Sequence, residues 1–315
     1  MKKFMLSAAA MLIFMPVVAQ QTASLKLNLE KNKIYRLKSV SEQTVSQTIN
    51  GNQQTVESKT SYTISVKMLD ATPEFMVAEV HFDTLITNTN TMGQTATVNS
   101  TMEGDIKSSE AGDIMTYFMN KLSKNTLYAK IDYTGKPLEI VNSKMLSDMI
   151  LKDTASITME GLQGAAIKTQ IAALISSDNM KTIIGSFTWH LPGNQVPVGD
   201  KWVVNEQTNS GGMLLSIITN SRLDGINGNK ASITAESSIK AVENAAPIKS
   251  AGATITYDNL AGLSKSTLVI DISTGLVVEE KAKTHISGNL GISGPGFSMQ
   301  MPMDINSESK VTSLQ

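Results

Sequence analysis

Residues 270–280 read IDISTGLVVEE and residues 131–141 read IDYTGKPLEIV. Each opens on Ile-Asp, turns at Thr-Gly and resumes with apolar and acidic residues. A strand, a tight turn and a returning strand is the economical reading of both, since Thr-Gly between β-branched runs is turn chemistry. Upstream of each lies a similar approach. NKIYRL (32–37) and GDKWVV (199–204) both place Lys directly before a hydrophobic run. A long polar strand follows each, then a turn holding Asp with Gly or Pro, at Asp70–Pro73 and at Asp224–Gly228. The chain therefore reads as two related β-rich halves.

Between the halves the hydrophobic period changes from two to about 3.6 residues. Met115, Phe118, Met119 and Leu122 fall at i, i+3, i+4 and i+7, after a capping Ser108 or Ser109. Asn142 or Ser143 is positioned to cap a second helix bearing Met145, Leu146, Met149 and Ile150. Ile167, Ile171, Leu174 and Ile175 share a helical face, as do Met180, Ile183, Ile184 and Phe187. Residues 143–187 are expected to be largely helical, weakened in the middle by Gly161 and Gly164. The fold class expected is α+β, mainly β: two related, twisted antiparallel sheet halves, open-barrel-like, with a helical insert between them. The boundaries are 20–142 for the N-terminal half with one helix, 143–190 for the helical segment and 191–315 for the C-terminal half.

Residues 1–19 read as an export signal. Lys2 and Lys3 precede an uncharged apolar run from Phe4 to Val18, and Val17 and Ala19 are small residues at the −3 and −1 positions of cleavage before Gln20. That run is too short and wrongly flanked to span a bilayer. No later stretch approaches the length of a transmembrane helix, so a soluble exported protein is expected, periplasmic or extracellular. The chain has no Cys, which excludes disulfides, thiolate metal sites and a Cys nucleophile. Formal net charge is −1 and falls by two when Lys2 and Lys3 leave. The two arginines, Arg36 and Arg222, are far apart, so the electrostatic footprint of nucleic-acid binding is missing.

The chain GDKWVV with the late IDISTG resembles a family of uncharacterised exported proteins of Bacteroidota-type bacteria, a domain of unknown function. The residues carrying the resemblance are Gly199, Asp200 and Trp202, with Asp132, Gly135, Asp271 and Gly275 of the two hairpins. The resemblance brings no catalytic residues with it. More distantly, a twisted sheet with helices on its concave face is similar to periplasmic lipoprotein carriers of the LolA type. That likeness implies a half-open barrel sheltering acyl chains, and fold alone does not establish function.

Candidate chemistry is sparse. His81, His190 and His285 have neither metal-site spacing nor acidic partners at motif distance. Gly-x-Ser-x-Gly is missing, and the Gly-rich stretch 287–297 has no phosphate-loop Lys. Asp132 and Asp271 stand where a turn aspartate bonds backbone amides, and Glu279 and Glu280 must point to opposite faces of a strand. In FSMQMPMDI (297–305), Phe297, Met299, Met301 and Met303 share one face, with Pro302 marking an edge or bulge. Three thioethers in a row are Cu(I) chemistry, but without His or Cys beside them they read as core or as the lining of an adaptable apolar cavity. Met115, Phe118 and Met119 are candidates for the opposite wall.

These observations favour a non-enzymatic binding module for an apolar or lipid-like ligand, without a cofactor. An envelope structural or interaction protein with a protein partner is the second reading. A hydrolase with a site assembled from distant residues is the third.

Overall fold

The computed structural model describes residues 21–314 except 50, 189–190, 211, 251 and 258. The export signal, its cleavage point and His190 lie outside the described residues. The strands are β1 (Thr22–Leu25), β2 (Ile34–Ile49), β3 (Asn52–Ala71), β4 (Phe75–Thr91), β5 (Gln94–Asn99), β6 (Leu127–Asp132) and β7 (Pro137–Ile140). After the helices come β8 (Asn194–Pro197), β9 (Lys201–Ser210), β10 (Met213–Asn227), β11 (Lys230–Ala241) and β12 (Ile248–Ser250). The last are β13 (Ala253–Thr256), β14 (Ala261–Asp271), β15 (Val277–Gly294) and β16 (Phe297–Leu314). The helices are α1 (Ala111–Ser123), α2 (Ser143–Asp153), α3 (Gly161–Leu174) and α4 (Ser177–Thr188).

One fourteen-stranded antiparallel sheet runs β7-β6-β4-β3-β2-β16-β15-β14-β11-β10-β9 along its main path. Each half is a meander of five of these strands, β2 to β7 and β9 to β15, laid down in the same direction. The last long strand, β16, is inserted between β2 and β15 and joins them. The sheet curls without closing, so the expected open-barrel-like, mainly β form is the one found. Its two edges are β7 and β9, and α4 packs against both, spanning the gap between them.

The helical stretch is more broken than its periodicity implies. A 3-10 turn at Thr154–Ser156 ends α2, and α3 begins at Gly161, whose φ of 68° is a left-handed conformation that glycine adopts without strain. The capping residues also differ. The residue preceding α1 is Glu110, and Ser108 instead bonds the Glu110 amide. Asn142 precedes α2 but gives its side chain to β6 and the turn before it, accepting from the Tyr128 amide and donating to the Thr126 carbonyl. Sheet docking outbids local capping there because those backbone groups otherwise lack partners.

The two repeated turns come together. Residues 25–29 thread between them: the Leu27 amide donates to the Tyr133 carbonyl at 2.8 Å, and the Asn28 amide donates to the Thr274 carbonyl at 2.8 Å. The Asn28 side chain adds a bond to the Ser273 carbonyl. Leu25, Leu27 and Leu29 enter the main core beside Leu37, Ile64, Phe82, Ile131, Ile184 and Ile270. An extended tongue of alternating leucines thus seals the helix-side end of the curled sheet, with one Asp-Thr-Gly turn on each flank.

Candidate functional site

Cross-strand register orders the concave face into rows. Near the helices, Leu223, Ile233, Leu268 and Val311 belong to the main core. One step outward, a row crosses seven strands as Ser221, Ala235, Ser266, Ala282, Ser309, Ser41 and Thr60. The next row reads Thr219, Ser237, Ser264, Thr284, Ser307, Gln43 and Ser58. Beyond it, apolar side chains return with Ile217, Ile239, Ile286, Ile305, Val45 and Val56. A belt of small, mostly hydroxyl side chains therefore lies between two apolar zones.

Small side chains leave space. A groove of about 440 Å³ lies between this belt and α4, lined among others by Ser237, Ser264, Ala282, Thr284 and Ile239 of the sheet and by Thr182 of α4. The hydroxyls pair across strands: Thr219 with Ser237 at 2.8 Å, Thr284 donating to Ser264 at 2.8 Å, and Thr60 with Thr87 at 3.3 Å. Such pairs satisfy one another, so covering them costs less than covering lone hydroxyls. Glu206 and Glu280 also face the groove, while Glu279 turns outward to Lys310 at 2.9 Å and Lys281 at 3.2 Å. Those two ammonium groups hold the Glu279 carboxylate below its ordinary range.

The convex face is charged. Glu42 pairs with Lys59, Glu236 with Lys265, and Glu308 with Lys283. The lipid-facing band of a membrane barrel is apolar, and this face is not. No helix among the described residues is long and apolar enough to cross a membrane.

The residues singled out by sequence fall into three groups. Asp132 Oδ1 accepts from the Thr134 amide at 2.9 Å, the Thr134 hydroxyl at 2.6 Å and the Lys136 amide at 2.9 Å. Asp271 Oδ1 accepts from the Ser273 amide and hydroxyl, the Thr274 amide and Asn229. Burial pushes the Asp271 carboxyl up, but these donors outweigh it and hold the group below the usual carboxylate range. Gly135 and Gly275 have φ of 88° and 75°, the left-handed corner of each turn. Gly199 makes a third such corner at 95°, and its amide donates to the Leu223 carbonyl while the Asp200 carbonyl accepts from the Leu223 amide. Trp202 packs against the main core. All seven lie in turns or pack against the core.

The seven candidates for a cavity lining separate. Phe118 and Met119 are buried in the main core with Met115 against it. Met301 and Met303, 7% and 6% exposed, belong to a second small core with Tyr257, Leu260 and Leu290 at the far end of the sheet. Phe297 is 49% exposed at the strand end, and Met299, half-buried, pairs with Ile292 of β15. None of the seven lines the groove. Pro302 sits where β16 has lost β2 and keeps only β15, so the strand is locally an edge. The groove residues were missed because Ser and Thr at alternate positions look like a solvated face; their signal was the same alternation in consecutive strands.

Two histidines can be judged as bases. His81 Nε2 meets both Glu79 at 3.1 Å and the Thr126 hydroxyl at 3.2 Å. A relay needs the carboxylate on one ring nitrogen and the nucleophile on the other, so this cluster does not form one. His285 Nε2 lies 2.6 Å from Asp304 on the exposed convex face. Among the described residues, no group of three His, Cys, Asp or Glu is arranged to hold a metal ion.

Among curated proteins, none matches this chain in sequence. Of solved structures, an outer membrane channel from Pseudomonas putida F1 is similar at 9% identity, over 91% of this chain and 97% of that one, with a TM-score of 0.28. Outer membrane protein OprG from Pseudomonas aeruginosa follows at 7% identity, 91% and 98% coverage, and 0.24. A DUF1329 family protein from Desulfovibrio piger reaches 10%, 86% and 83%, and 0.13. At TM-scores this low these likenesses carry no argument. Residues 73–277 match DUF6263, a family of unknown function, and the chain belongs to that family.

Proposed function

We propose that the protein is an exported, non-enzymatic carrier that holds an apolar or lipid-like molecule in the groove between α4 and the C-terminal half of the sheet. The observation that carries this reading is the 440 Å³ groove itself, which lies in the size range of small-molecule sites. Its walls combine apolar side chains with hydroxyls, two pairs of which bond each other across strands, and with the carboxylates of Glu206 and Glu280. The charged convex face keeps the carrier in water, and the apolar leader at residues 4–18 supports export.

Native mass spectrometry of the chain from Gln20, purified without detergent, tests this. A mass released on denaturation and soluble in organic solvent is the expected result. The Ala282→Phe variant, which fills the belt, should lose at least about tenfold in affinity for added fatty acid or lysolipid. A clean apo mass with no uptake of either would sink the carrier reading.

A second reading, an envelope interaction protein, is favoured by one observation. Tyr128, Leu138, Val141 and Met145 are all exposed around the β7 edge. Co-purification of a defined protein partner that Met145→Lys abolishes, with the groove empty, would establish it instead.

A further inference from the structure

The two ends of the curled sheet differ in charge. At the helix-side end the turns and their flanks carry Asp70, Glu74, Asp132, Lys136, Lys230 and Asp271. The hairpins β2–β3, β4–β5, β9–β10 and β15–β16 turn at the far end. Residues 43–56, 84–102, 207–221 and 286–303, which build those turns, contain no charged side chain. Lys240, Glu243, Lys249 and Asp258 belong to β11 and the connection after it, and they are two of each sign. The far rim is therefore neutral, while the convex face behind it is laced with ion pairs.

Each neutral hairpin holds a large apolar side chain at or beside its turn: Ile49, Met92, Met213 and Phe297. Met92 is 75% exposed and Phe297 is half-exposed, whereas Ile49 and Met213 lean on the second small core. That core, with Tyr257, Leu260, Met301 and Met303, lies just behind the tips. The β15–β16 tip stands clear of β2: β16 starts at Phe297, but its pairing with β2 starts at Met303. The Phe297 ring rests on Gly294 across this turn, where an added Cβ would collide with it. The tip thus holds the ring in place and leaves its outer part in water.

We propose that this rim docks the protein on the surface of a neutral lipid bilayer, with Phe297 and Met92 entering the headgroup region. The surface is defined without reference to what the groove holds; in a carrier it would present the far end of the concave face to lipid. Moving a protein surface out of water costs most for charges and far less for amides and hydroxyls, which make up this rim. Affinity for the headgroup layer then grows with the apolar area inserted. From β4 to β10 the tips spread over roughly 30 Å along the curled sheet. They do not form the contiguous apolar centre of a protein interface, but a fluid surface takes each tip separately.

The test mixes the chain from Gln20 with vesicles of dioleoyl-phosphatidylcholine and follows binding by flotation. The expected result is saturable binding that changes less than about twofold between about 0.05 and 0.5 M salt, because no ion pair carries it. Phe297→Asp should weaken binding at least about tenfold, while Leu263→Asp, at an exposed site on the convex face, leaves it unchanged. Phe297→Trp keeps the tip apolar and covers the case where Asp disturbs the hairpin. It should bind at least as tightly as the wild type, with a blue shift of its added fluorescence on binding. Failure of the wild type to float overturns the proposal, as does unchanged binding by Phe297→Asp. Binding that needs dioleoyl-phosphatidylglycerol and disappears at high salt also overturns it, and moves the contact to exposed lysines. Self-association without flotation, abolished by Phe297→Asp, overturns it in favour of a second copy of the chain. None of these outcomes bears on uptake into the groove, so the carrier reading stands or falls separately.

Discussion

In the N-terminal half the helix-side part of the concave face presents Leu37, Ile64, Val66, Val80, Phe82, Leu127 and Ile131, and only the outer ends of β2 and β3 carry the belt residues Ser41, Gln43, Ser58 and Thr60. In the C-terminal half the face presents Ser221, Ser237, Ser264, Ala282 and Thr284 over much of its extent. The strands, turns and directions correspond, yet the first face is covered by helices and the second encloses a groove. A continuous apolar sheet face must be buried, so helices are recruited to it. A face of paired hydroxyls and alanines is under no such compulsion and can stay open at low cost. Side-chain size and polarity at alternate positions, rather than topology, divide scaffold from site.

The sharpest test of that contrast substitutes one residue in each face. Phe82→Ala should destabilise the protein by about 3–5 kcal/mol in chemical denaturation, as a large buried aromatic leaving a cavity does. Ser264→Ala in the belt should change stability by only about 0.5–1 kcal/mol, the scale of one net hydrogen bond. Similar losses at the two positions would break the distinction.

Gly275→Ala comes next, at about 2–3 kcal/mol. Its φ is 75°, and a Cβ there would collide with the Lys26 carbonyl of the tongue. Thermal unfolding should fall accordingly, and a neutral result would show that the turn does not clamp the tongue.

Asp271→Asn is expected to cost about 1–2 kcal/mol at neutral pH, because four donors lose a charged acceptor. The carboxyl is held below its unfolded value, so its contribution is complete above about pH 4 and is lost as pH falls through the folded value. Asp153, lowered first by the Lys121 ammonium and also by the Tyr117 hydroxyl, titrates in the same direction. Stability measured across pH 2–6, a window set about the reference carboxylate values, should therefore slope less in Asp271→Asn than in the wild type.

Smallest of all, Lys265→Ala removes an exposed cross-strand pair with Glu236 and should shift stability by less than about 0.5 kcal/mol. A larger loss would mean that the row of charges on the convex face acts as a network.

The β-rich halves, the helical insert and the two matched hairpins were all legible because each is written in local periodicity and turn chemistry. Asp132 and Asp271 read as turn aspartates in sequence and are turn aspartates in space. The breaks in the helical stretch were half legible: Gly161 and Gly164 flagged weakness, but the 3-10 turn at Thr154–Ser156 had no local signal. The methionine strand illustrates the opposite failure. Met301 and Met303 do share a face and a core, yet Phe118 and Met119 lie in the other core, and no spacing in one strand reveals which helix it will meet.

Period, capping chemistry and glycine placement are properties of neighbouring residues, so the sequence by itself determined the elements and the two matched hairpins. What the tertiary structure alone decided was the meeting of the two Thr-Gly turns across residues 26–28, the insertion of β16 between the halves, and the placing of α4 over the seam. These depend on pairings between residues more than a hundred positions apart, whose register is set by the sum of many cross-strand contacts. The groove belongs to that second class. Six strands of those rows, β10, β11, β14, β15, β16 and β2, contribute small side chains to it, and only their alignment makes a cavity of them.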